Sequence, residues 1–166
     1  MRSVLAVAFA LLVWSAAAGH VAAQAELDRV VSRVNNSVIT LSDIREAMLM
    51  KLVEDSTSED STRRGLENRM LILAEISRVL PALPPASDGD LAARRAQWES
   101  GVGGRARVPD LLGRTSLKEN GLEAWLRDDV RIQMHLKRQF GSVPDGDRAR
   151  ATSDWIARLR QRAGLK

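Results

Sequence analysis

A chain that runs from a two-stranded hairpin straight into a capped helix has few ways to begin folding. Residues 27–53 (LDRVVSRVNNSVITLSDIREAMLMKLV) make that passage in one stretch. Val30, Val31 and Val34 are β-branched and suit a half-buried strand, Asn35, Asn36 and Ser37 supply a turn that tolerates positive φ, and Val38 and Ile39 restore strand composition. Thr40 can then serve as N-cap with Asp43 at N3, while Ile39 and Ile44 stand at the spacing of a hydrophobic staple. Ser42 is a rival N-cap that the sequence alone does not eliminate.

The stretch before this hairpin has a different character. Arg2 gives a basic start, Val4 onward is an apolar run too short for the ~20 residues that span a bilayer, and Val21, Ala22, Ala23 and Ala25 provide the small residues a signal peptidase requires. Residues 1–25 are therefore expected to be a signal peptide, with cleavage before Gln24 or Glu26 and residues 26–166 forming the exported domain. The net charge is +4 for the whole chain and +3 (24 basic against 21 acidic residues) once Arg2 is gone. This mixed balance does not suggest a nucleic-acid tail. There is no cysteine, so an exported fold must rest on apolar packing without disulfides. The sequon at Asn35 falls inside the hairpin turn and serves the turn.

The rest reads as helices separated by breakers. Ile44, Ala47, Met48 and Leu52 form a stripe on the first helix, and residues 54–62 (EDSTSEDST) form an acidic, mobile loop in which Ser61 or Thr62 caps the next helix. Leu66, Met70, Leu73, Ile76 and Leu80 give the clearest stripe, on a helix that should be central. Pro81, Pro84 and Pro85 end it, Ser87 with Asp90 at N3 starts a helix carrying Trp98, and Gly101, Gly103 and Gly104 close that one. A single turn at 109–112 and a capping box of Ser116 and Glu119 come next. The longest helix, 122–140, should be packed on two sides, with Gly141 at its C′ position. His135, Lys137 and Arg138 near its end complement the helix dipole. An amphipathic helix at 147–163 follows, with Thr152, Trp155, Ile156 and Leu159 on its docking face. The expected fold is mostly α: a small N-terminal β-hairpin followed by an irregular helical bundle closed by a C-terminal helix.

Few catalytic kits can be assembled from these residues. After residue 25 the only histidine is His135, and tyrosine and cysteine are absent, so neither a nucleophile elbow nor a zinc cluster can be read. Asp128 and Asp129 point about 100° apart on a helix and read as solvated or ion-paired groups rather than a catalytic pair. No catalytic residue, metal or cofactor is assigned. The informative feature is a surplus of flexible apolar side chains. Methionine fills irregular contacts without demanding one partner geometry, so the methionines are either core filler or part of a surface that accepts many sequences. Met48, Leu49, Met50, Val53, Leu71 and Met134 are the candidates for a peptide-binding groove.

The run VVSRVNNSVITLSDIREAM resembles the opening of the N-terminal domain of SurA-type periplasmic chaperones. The order of later segments is also similar: a helix of the ENRMLILAEI type, a long helix ending in a basic segment, and a tail, ATSDWIARLRQRAGLK, like the one that closes the family's core. The glycine stretch at 101–104 departs from the family. Its parvulin-type isomerase domains, which lie between long helix and tail, have no room in residues 141–147. The resemblance implies a periplasmic, non-enzymatic chaperone domain that binds unfolded outer-membrane or secreted polypeptides, without nucleic acid or stable membrane insertion, as a monomer or a homodimer. An exported helical adaptor for one folded protein partner is the alternative.

Overall fold

The computed structural model describes residues 28–79 and 86–165. The expected signal peptide, Leu80 and the proline connector at 81–85 lie outside the described residues. The chain is mostly α with a two-stranded antiparallel hairpin at its N-terminal end, as the sequence leads one to expect. Strand β1 (Val30–Val34) pairs with β2 (Ser37–Thr40) in the register Val34 with Ser37, Arg33 with Val38 and Ser32 with Ile39. The turn is tight because Asn35 takes φ 52°, a left-handed conformation that Asn tolerates better than most residues. Val34 and Ile39 face inward and are buried.

Helix α1 (Leu41–Leu49) starts at Thr40. The Asp43 N–H donates to Thr40 Oγ1 at 3.2 Å and the Thr40 N–H donates to Asp43 Oδ2 at 2.8 Å, a reciprocal capping box that removes Ser42 from contention. Ile39 and Ile44 are both buried on either side of that cap. The helix ends in a Schellman pattern: Leu52 N–H donates to Ala47 O and Lys51 N–H to Met48 O, with Lys51 at φ 49°.

Helix α2 (Glu59–Val79) begins earlier than its stripe implies. Ser58 Oγ accepts from the Ser61 N–H, so Ser58, rather than Ser61 or Thr62, satisfies the first turn. The acidic loop is correspondingly shorter, and it is tied by Thr57 donating to Asp55 and Ser56 to Val53 O. As expected, α2 is central: it touches both strands, α1, the long helix and the C-terminal helix. Its buried arc is broader than the stripe and includes Leu66, Leu71, Ile72 and Ile76, with Met70 and Leu73 half-buried.

Helix α3 (Asp88–Gly101) is capped by Ser87, whose side chain accepts from the Asp90 N–H, and it stops where Gly103 and Gly104 adopt φ 97° and 101°. A 3-10 turn (Arg105–Arg107) leads into the short α4 (Val108–Gly113). Helix α5 (Glu119–Phe140) runs straight through Gly121. The expected box of Ser116 and Glu119 does not form. Ser116 instead directs both its N–H and its hydroxyl to the Glu46 carboxylate of α1, and Lys118 occupies the N-cap without a side-chain bond. At Gly141 the backbone is right-handed, φ −62°, and glycine is needed because a Cβ there would collide with Lys137 O.

Residues 141–144 link α5 to α6 (Asp145–Arg162), which docks on α2 and α5 through buried Trp155 and Leu159. His135 corrects a sequence expectation. It is buried under α6, with its ring 5.6 Å from that of Trp155, rather than exposed at a helix end, and neither ring nitrogen has a partner among the described residues.

Glu67, 1% exposed, ties three elements together. Its carboxylate accepts from Ser32 of β1 at 2.6 Å, from Arg63 at 2.5 Å and from Arg160 of α6 at 2.9 Å. Burial pushes this carboxyl up, but the bonds from Ser32, Arg160 and Arg63 outweigh it and hold it below the ordinary glutamate value of 4.5. A depressed folded-state value means stability that is full above the unfolded value and lost as the pH falls through the folded one. Denaturant unfolding followed from neutral pH to below 4.5 should therefore show stability dropping in the acid range. Glu67→Gln should flatten part of that drop.

Candidate functional site

An open, predominantly apolar groove of about 430 Å³ lies where four elements meet. Strand β2 contributes Val38 and Ile39 to one lip, α1 contributes Asp43, Glu46 and Ala47, and α2 provides Leu66, Met70 and Leu73. Gly121, Ala124 and Trp125 of α5 form the far wall, with Leu117 closing one end. The recess exists because α5 carries the small residues Gly121 and Ala124 on the face where Met70 and Leu73 come up from α2. A Cβ at Gly121 would stand 2.8 Å from Leu117 Cδ1, so the end of that leucine side chain would have to shift to admit it. Val38, at the lip, is 41% exposed, one of few large apolar side chains among the described residues left open to water.

Polar groups fix the far wall. Arg69 of α2 is buried and bonds the Asp129 carboxylate, donates to Trp125 O at 2.8 Å and lies 3.9 Å above the Trp125 ring. Arg94 of α3 donates twice to the other Asp129 oxygen, at 3.0 and 2.6 Å. Burial pushes the Arg69 guanidinium down and the Asp129 charge pushes it back up, the burial effect prevailing. The carboxylate pair is thus ion-paired, as the sequence leads one to expect: Asp129 takes two arginines, and Asp128 takes Arg131 at 3.1 Å. The indole N–H of Trp125 is buried without an acceptor among the described residues.

The six residues expected to line a groove do not converge on one. Met50 is fully buried: its carbonyl accepts from Trp98 Nε1 at 2.8 Å, and Thr115 Oγ1 lies 3.6 Å from its sulfur. It is core. Leu71 is also buried, beside a cleft it shares with Leu159 of α6. Met48 and Leu49 are half-buried against the core. Val53 borders a separate recess with Ile132 and Ile156, and Met134 borders another between α3 and α5. The surplus apolar surface of α1 and α2 is largely used where these helices pack on each other and where α2 meets the hairpin, α5 and α6, while Met70 and Leu73, read as plain core stripe, reach the groove. The small pair Gly121 and Ala124, opposite that stripe, is the sequence signal that marks it.

Among the described residues no group of three or more His, Cys, Asp or Glu side chains is placed to hold a metal ion, and no helix is long and apolar enough to cross a membrane. What this arrangement offers chemically is binding: an apolar floor with carboxylates on its rim. No family model, curated protein or solved structure matches this chain.

Proposed function

We propose that this chain is a periplasmic, non-enzymatic chaperone domain that holds extended segments of unfolded outer-membrane or secreted polypeptides. The open apolar groove between β2, α1, α2 and α5 carries this reading. Its volume of about 430 Å³ falls within the ~300–1,000 Å³ of small-ligand pockets, so it accepts a few side chains of a flexible segment rather than the face of a folded domain. That favours many weak clients over the alternative of an adaptor for one folded protein. The resemblance of the hairpin and tail to SurA-type chaperones points the same way. Only residues 141–144 link α5 to α6, where the resemblance implies an isomerase domain would otherwise be inserted.

The test is aggregation of a urea-denatured outer-membrane protein on dilution. Light scattering should fall in proportion to added protein. A prolyl-peptide assay on the same preparation should stay at the uncatalysed rate, with relaxation in tens to hundreds of seconds. Undiminished aggregation at a large excess would reject the function, and so would tight capture of a single folded partner.

A further inference from the structure

The rim of the groove carries charge of one sign. Asp43 and Glu46 stand three residues apart on α1 and so share a face, and both line the groove. Their partners are neutral: Asp43 accepts from the Thr40 N–H, and Glu46 from the Ser116 N–H and hydroxyl. Among the described residues neither takes part in an ion pair. The guanidinium in the lining, Arg69, is held by Asp129 behind the wall and leaves little positive charge to offset them. The chain as a whole is basic, at +4, so this acidic lip runs against the general balance of its surface.

A carboxylate beside an apolar, poorly hydrated wall attracts a cation more strongly than one surrounded by water, and such an arrangement sets which partner is chosen as well as how fast it arrives. We propose that the groove selects extended segments whose apolar side chains are flanked by lysine or arginine. The apolar residues enter between Met70, Leu73 and Trp125, and the cation meets Asp43 and Glu46. This selectivity rests on the segment-holding function proposed above and narrows its substrate class.

The experiment measures fluorescence anisotropy of two dye-labelled peptides that share one apolar core, one flanked by lysine and the other by glutamate, with the purified protein. At low salt the lysine-flanked peptide should bind about tenfold tighter, the scale set by two exposed ion pairs. High salt should bring the two towards parity. The double variant Asp43→Asn, Glu46→Gln should do the same, since both amides keep an acceptor for Thr40 and Ser116 and so leave the cap and the α1 contact in place. Ala124→Trp, which fills the groove, should abolish binding of both peptides. Equal affinities in the unaltered protein would overturn the charge selection and leave the holding function standing, as would a preference that survives in the double variant. Failure of both peptides to bind would overturn the holding function itself. A stable dimer by sedimentation that excludes both peptides would assign the groove to a second copy of the chain and overturn the proposal.

Discussion

A chain ending at Pro144, without helix α6, is expected to melt far below the intact protein and to bind apolar dyes. Trp155 and Leu159 are 7% and 4% exposed, and Ile156 is half-buried against the core. Burying a large apolar side chain contributes about 1.5 to 3 kcal/mol, so the first two alone supply a substantial part of the ~5 to 15 kcal/mol that holds a typical domain. The deletion also uncovers what they cover. His135 and Phe140 of α5 pack on the Trp155 ring, and Leu71 of α2 borders Leu159 across one cleft. Arg160 leaves too, removing one of the three donors to the buried Glu67 carboxylate. A fall in melting temperature on the order of 10 to 25 °C is expected, or loss of a cooperative transition altogether. Trp155→Ala should reproduce part of it. An unchanged melting temperature would show that α6 is an appendage and that the core closes without it.

What the sequence discloses here depends on how far apart in the chain the interacting residues lie. The hairpin, the Thr40 cap and the Ile39–Ile44 staple join residues no more than ten apart in the chain, so residue type and spacing suffice to read them. The docking face of α6 is also legible, because a stripe with no partner on its own helix must find one elsewhere. The start of α5 is not legible. Ser116 and Glu119 have the spacing of a capping box, but Glu46, 70 residues earlier, claims the Ser116 N–H and hydroxyl first. His135 misleads for the same reason: its place near a helix end suggests a dipole contact, whereas Trp155 on the next helix covers it. The groove was hardest to see. A surplus of apolar residues says that a helix has more than one neighbour, and burial then consumes most of it, as Met50 and Leu71 show. The recess is set by what is missing, the side chains of Gly121 and Ala124 facing Met70 and Leu73, and that opposition appears only once α2 and α5 are side by side.

Asp129→Ala should be among the most destabilising single substitutions in the chain, costing about 3 to 5 kcal/mol, because it leaves two poorly hydrated guanidiniums without their shared carboxylate, Arg69 keeping only Asp128 at 3.9 Å. The Arg69 side chain is 9% exposed and that of Arg94 18%, and both direct donors to the Asp129 carboxylate. These three side chains join α2, α3 and α5 at one point, so the loss should appear as a lower urea midpoint with an unchanged slope, the sign of reduced stability in a fold that is otherwise intact. A buried ion cluster is costly to break but less costly to replace. Arg69→Met and Arg94→Leu combined with Asp129→Leu should therefore recover most of the midpoint lost by the single change. If Asp129→Ala leaves the midpoint where it was, the cluster is solvated enough that its pairing contributes nothing. The same substitution also reaches the groove. With Asp129 gone, the Arg69 charge in the groove wall is no longer neutralised from behind and opposes the carboxylates of Asp43 and Glu46. Under conditions where Asp129→Ala remains folded, its preference for lysine-flanked over glutamate-flanked peptides should shrink, although residue 129 is not among those lining the groove.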